Sequence, residues 1–156
     1  MKILIICDSL YGNTWKIAEA IKEGFGKNNV KLVKAIDAKP EDINGIEMLI
    51  VGSPTHGGWP SEKAKKFMDS ITADGLKGIK AAAFDTSMTK EGQNVFLKGI
   101  IGFFGAAAKR TASILEKKGA EIIASETFYV LGKEGPLKKG ETDRAKTWAN
   151  KIIVGK

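Results

Sequence analysis

Residues 7–21, CDSLYGNTWKIAEAI, follow directly on an apolar run, ILII at positions 3–6. The chain passes from a strand-length hydrophobic segment through a short polar loop into an amphipathic helix, where Ile17, Ala18, Ile21 and Phe25 recur at helical spacing. Such a junction either turns the chain or holds an anion at the helix start. Ser9, Asn13 and Thr14 bring short hydrogen-bonding side chains, and Gly12 permits a positive φ or a close approach to a ligand. A helix beginning after Asn13 or Thr14 leaves its first N–H groups without intrahelical acceptors, and its dipole favours negative charge there. A phosphate would satisfy those donors. Ordinary capping also accounts for an Asn or Thr beside a glycine, so the loop alone leaves both readings open.

Outward from this junction the chain alternates strand and helix. Strand-length apolar runs occur at 3–7, 31–36, 48–51, 79–84 and 122–124 with 128–131. Most are nearly continuous in apolar residues, as expected of strands covered on both faces. Helical spacing links Ala64, Phe67, Met68 and Ile71, then Phe104, Ala108, Thr111 and Leu115, then Ala145, Trp148, Ala149 and Ile152. The KPEDING segment between the second and third runs has room for one helical turn. This β-α-β-α series predicts one three-layer α/β domain with a parallel sheet and right-handed crossovers. Ligands of such sheets bind beyond the carboxyl ends of the strands, which directs attention to DSLYGNT, GSPTHGGWPS and the stretch from Asp85 to Phe104.

Several anion-binding chemistries fail at a key residue. No lysine follows a glycine in the first loop, so it is not a nucleoside-triphosphate P-loop, and GxGxxG is absent. A cysteine phosphatase would need an arginine six positions after Cys7, where Asn13 stands. In the second loop, Pro54 and Pro60 bracket a segment in which Gly57–Gly58 can rotate freely and Trp59 offers a flat ring. The segment suits a planar aromatic ligand. Alternatively, Trp59 covers the core and Ser61 starts a helix as its N-cap. His56 is the only histidine, and no cysteine or carboxylate pair accompanies it to bind metal.

Composition bounds these readings. At 156 residues, with 43% hydrophobic and 28% charged residues, the chain reads as one soluble globular domain. The apolar runs are too short for a bilayer and no cleavage site follows MKILIIC, so a cytoplasmic location is expected. The single cysteine, Cys7, reads as a buried structural thiol. Lys and Arg (25) exceed Asp and Glu (18), a net charge of +7. The basic residues are scattered, which argues against nucleic acid and favours anionic small molecules or an acidic protein partner.

A strand ending in DSLYGNT, paired with GSPTHGG after the third strand, resembles the flavodoxin family, which binds flavin mononucleotide (FMN). AFDTSM at the end of the fourth strand and GKEGPLKKGETDRAKTWA before and in the last helix extend the resemblance over nearly the whole chain. It implies a flavodoxin-like, doubly wound, five-stranded parallel sheet in the order 2-1-3-4-5, one domain over residues 1–156, and noncovalent FMN in the service of electron transfer. It places Ser9, Tyr11, Gly12, Asn13 and Thr14 around the FMN phosphate. Pro54, Thr55, His56, Gly57, Gly58 and Trp59 would border the isoalloxazine, and Asp85, Thr86 and Ser87 would meet its pyrimidine side or the ribityl chain. In the family a peptide of the second loop can reverse to accept a hydrogen bond from flavin N5 on one-electron reduction, and Gly57–Gly58 is the candidate here. No catalytic side chain and no metal are implied.

Three features depart from the family pattern. Tyr11 stands where many members carry a hydroxyl residue. No tyrosine follows the fourth strand, so an outer stacking ring is either missing or supplied by Phe103, Phe104 or Trp59. The charge is +7, whereas electron-shuttling flavodoxins are typically acidic, which points to redox protein partners of acidic character. Two rivals follow: an FMN-dependent NAD(P)H:quinone reductase, and a non-redox α/β module holding another phosphate ligand. The apolar segment 94–108 is either the covered start of the helix that carries Phe104, Ala108, Thr111 and Leu115, which is preferred, or an exposed flap for a quinone, a membrane surface or a partner.

Overall fold

The computed structural model describes residues 1–89 and 106–155. Most of the segment 94–108, with Phe103 and Phe104, lies outside the described residues. Five strands, β1 (Lys2–Cys7), β2 (Asn29–Lys34), β3 (Met48–Pro54), β4 (Lys80–Met88) and β5 (Glu121–Val130), form one sheet in the order β2-β1-β3-β4-β5. Every neighbouring pair is parallel. The helices described between and after them are α1 (Asn13–Gly24), α2 (Glu62–Asp69), α3 (Ala106–Lys117) and α4 (Glu141–Ile153).

The continuous apolar strands are covered on both faces, as their composition predicts. Ile3, Ile5 and Cys7 of β1, Met48 and Ile50 of β3, and Ala82 and Phe84 of β4 pack with Ile17, Ala18 and Ile21 of α1 and Ala145, Trp148 and Ala149 of α4. The alternate residues Leu4, Ile6, Leu49, Val51 and Ala81 face Ala64, Phe67 and Met68 of α2 and Leu115 of α3. Period-two strands and helical stripes thus divide the interior into two layers. In the first layer Phe84, Phe128 and Trp148 meet edge to face, with ring centroids 6.0–6.5 Å apart.

Two elements differ from the sequence expectation. β2 lies two residues earlier than the apolar run suggested, because Ala35–Asp37 turns into a 3₁₀ helix and leaves Ile36 67% exposed. The two last runs join into one ten-residue strand. Its polar centre, Ser125 to Thr127, sits at the sheet edge, where Glu126 pairs with Arg144 at 3.3 Å. Arg144 also bonds Glu141, which accepts the Tyr129 N–H at 2.7 Å and so ties the start of α4 to β5. Burial raises the Glu141 pKa, but these bonds outweigh it and hold the carboxyl below its ordinary range. The KPEDING segment forms the short 3₁₀ helix Pro40–Ile43.

The aromatic trio bridges the sheet and α4, so trimming it opens a cavity that the flanking strands cannot close. Phe84→Ala is expected to lower the unfolding free energy by about 3–5 kcal/mol in urea titrations. A loss below about 1 kcal/mol would contradict this packing.

Candidate functional site

The first loop prolongs β1 by one bond, Asp8 N–H to Gly52 O at 3.0 Å, and then folds back as Gly12 N–H donates to Ser9 Oγ at 3.0 Å. Gly12, with φ 90°, is the N-cap of α1, so the cap itself has no side chain to offer. The helix begins one residue earlier than an Asn13 cap would require. Its first axial bond runs from Lys16 N–H to Gly12 O. Among the described residues, no acceptor meets the N–H groups of Asn13, Thr14 or Trp15. Asn13 and Thr14 are nevertheless buried, so these donors are partly shielded from water as well.

Side chains brace this helix head from two sides. Thr14 Oγ lies 2.8 Å from Thr86 Oγ at the end of β4. One hydroxyl of such a pair donates to the other, which leaves one proton free to point outward. Asn13 Nδ2 donates to the Glu134 carbonyl at 3.0 Å, across 121 positions of sequence. A Cβ on Gly135 would lie 2.7 Å from that same nitrogen, so the loop after β5 presses against α1 as closely as only glycine allows. Ser9 is half-buried, while Tyr11 and Leu10 are exposed at the rim.

The second loop is a closed hairpin. His56 and Trp59 exchange both backbone bonds, at 2.9 and 3.0 Å, around Gly57 (φ 57°) and Gly58 (φ 82°). Two successive positive φ angles make this a type I′ turn. A Cβ on Gly57 would touch nothing within 4 Å, so the constraint there is the backbone angle and not space. Thr55 N–H bonds Thr86 O at 3.1 Å and continues the β3–β4 pairing beside Pro54. At the far end Ser61 N–H donates to Ser53 Oγ at 2.7 Å, and Ser61 Oγ caps Ala64 N–H, so Ser61 is the N-cap of α2 as its position suggested. Trp59 is 53% exposed and is not a core residue. The Arg110 guanidinium of α3 lies 4.0 Å above its ring and donates to Gly58 O.

The third group, Asp85 to Ser87, is buried beneath these loops. Asp85 is 0% exposed. Its Oδ2 accepts from Thr55 Oγ and from Ala108 N–H in the first turn of α3, both at 3.1 Å, while Oδ1 has no partner among the described residues. Ser87 Oγ joins the same network through Thr55 at 3.0 Å. Burial pushes the Asp85 carboxyl above its usual range, and the Thr127 hydroxyl, the Ala108 N–H and the Thr55 hydroxyl offset only part of that cost. Cys7 is likewise buried, and burial, with Asp8 adding to it, pushes its thiol far up, so it is no nucleophile. Among the described residues no group of His, Cys, Asp and Glu stands together as a metal site.

The structure therefore brings the three expected groups to one end of the sheet. It adds Arg110, Ala108 N–H, Glu134 O and Gly135. None of these has a local sequence signal, since each reaches the site through long-range packing.

A doubly wound α/β sheet with an anion-ready helix start at its carboxyl edge defines the class. The flavodoxin family model matches residues 5–148, and the chain belongs to that family, whose cofactor is FMN. A flavodoxin from Aquifex aeolicus is 38% identical over 92 residues, covering 55% of this chain and 50% of that protein. The sulfite reductase [NADPH] flavoprotein alpha-component of Shigella dysenteriae is 41% identical over 88 residues, 53% of this chain and 15% of the relative. This chain thus matches half or less of the length of both. Oxidised flavodoxin 1 from Bacillus cereus superposes with a TM-score of 0.79 at 16% identity over 99% of this chain and 98% of that one, which is a likeness of fold.

The residues present fit FMN. Three N–H donors without acceptors among the described residues suit a phosphate, and the glycine turn leaves side-chain-free backbone beside an exposed indole.

Asp85 gives a pH test. Its folded pKa lies above the unfolded one, so its contribution is fully present below the unfolded value of about 3.9 and is lost as pH rises through the folded value. In urea titrations of the apoprotein, Asp85→Asn should gain stability relative to the parent as pH climbs from 4 towards 8. A stability difference that stays constant with pH would contradict the buried-carboxyl account.

Proposed function

We propose that this chain, as one flavodoxin-like domain over residues 1–156, binds FMN noncovalently and carries electrons between redox proteins. The observation that carries the reading is the head of α1, where the N–H groups of Asn13, Thr14 and Trp15 have no acceptor among the described residues, beside the Thr14–Thr86 hydroxyl pair. FMN, when bound, takes up and releases electrons singly or in pairs. The chain would supply orientation, hydrogen bonds and a field that sets the potentials.

In this reading Ser9, Tyr11, Gly12, Asn13 and Thr14 surround the phosphate, mostly through backbone N–H groups. Asn13 acts chiefly as a pin, because its amide is committed to Glu134 O. Pro54 to Trp59 border the ring. The I′ turn can exchange with II′ by reversing only the Gly57–Gly58 peptide, and both forms keep the His56–Trp59 pair. Thr86 supports Thr14, and the Asp85–Thr55–Ser87 network fixes the base of the loop.

Partners of acidic character are supported by the net charge of +7 and by Lys133, Lys138 and Lys139 in the segment between β5 and α4. No helix among the described residues is long and apolar enough to cross a membrane, and a cytoplasmic setting accords with a carrier of this kind.

Replacing Thr14 by Val tests the phosphate role. The hydroxyl is lost at constant size, and FMN affinity is expected to fall by roughly 1.5–3 kcal/mol while riboflavin affinity changes little. Equal losses for both ligands would assign Thr14 to the fold instead.

Partner charge is tested by stopped-flow electron transfer against ionic strength. Transfer to an acidic acceptor should slow steeply with salt and transfer to a basic acceptor should not. Similar salt slopes would remove the steering role.

A further inference from the structure

Helix α3 grips the glycine turn at both ends. Through Asp85 it holds the start of the loop, because Oδ2 takes one bond from Ala108 N–H and one from Thr55 Oγ. Two residues further on, Arg110 holds the end, where its guanidinium donates to Gly58 O and stacks on Trp59 at 4.0 Å. Between these anchors, neither Gly57 O nor Gly58 N–H has a partner among the described residues. The carbonyl that Arg110 holds belongs to the next peptide, Gly58–Trp59, and an exchange between I′ and II′ leaves that peptide in place.

We propose that Arg110 is a positioning and charge-setting residue for flavin reduction. It confines the reversal to the Gly57–Gly58 peptide, and it fixes a permanent cation at the loop bordering the ring. This rests on the reading that residues 54–59 border the isoalloxazine. A guanidinium suits both tasks, since it cannot lose its proton and its plane matches an indole face. Reduction adds negative charge to the ring, so a fixed cation beside it makes the second electron easier to add. The cation is held by a backbone carbonyl and an aromatic face, and no carboxylate among the described residues pairs with it.

The test is potentiometry of the FMN complexes of the parent, Arg110→Gln and Arg110→Lys, with FMN affinity measured for each apoprotein. Arg110→Gln should lower the second one-electron potential by about 59 mV, which is a roughly tenfold loss of preference for the fully reduced ring. Arg110→Lys keeps the charge and should restore most of that shift, although it loses the planar stack. Unchanged potentials in Arg110→Gln, with FMN still bound, would overturn this inference and leave FMN binding standing. Equal shifts in the Gln and Lys variants would reduce Arg110 to packing and overturn the charge role. Failure of the parent apoprotein to bind FMN would overturn the reading of the site and the inference together.

Discussion

Three backbone N–H groups at the head of α1 need an acceptor that none of the described residues supplies, and the rest of the site is arranged around that need. A glycine cap offers no oxygen, the Ser9 hydroxyl is taken by Gly12 N–H, and Asn13 turns its amide to Glu134 O. Asn13 and Thr14 are buried, so water reaches their N–H groups poorly, and an anion is well suited to complete the helix head. Placing the helix there depends in turn on the sheet. β1 and β3 end side by side in the middle of it, and the switch of strand order opens the crevice between their loops.

A second constraint lies under the loops. Asp85 is a fully buried carboxyl, and one of its oxygens has no partner among the described residues. It costs stability when ionised, yet it joins Thr55 of one loop to the first turn of α3. Local conflict of this kind is expected where a site must be held in one geometry. Arg110 completes the same frame from the neighbouring turn of the helix, so β4 and α3 together decide how much of the glycine hairpin can move.

Much of this was legible in the sequence because it is periodic or local. The continuous strands and the helical stripes gave the layers, Ser61 was visible as a cap, and the pairing of DSLYGNT with GSPTHGG pointed to the carboxyl edge of the sheet. Gly57–Gly58 was readable as a pair free to rotate, but the closed turn it forms, with two positive φ angles, was not. The shift of β2 was not, since Ile36 looks like the end of a strand until the following 3₁₀ turn exposes it. Nor was the burial of Asp85, because a carboxylate at a strand end reads as a ligand-facing group. Arg110 and Glu134 meet their partners across 52 and 121 positions, distances over which no pattern of spacing carries information. Trp59 could be read as core or as rim, and only its exposure decided the matter.

If this site accepts FMN as proposed, the protein manages electrons one at a time. Stepwise reduction of the purified protein reconstituted with FMN, followed by visible absorption against potential, tests it most directly. The expected result is a yellow one-to-one complex that is reduced in two resolved one-electron steps. An apoprotein that fails to take up FMN, or a complex reduced in a single two-electron step like the free cofactor, would contradict it.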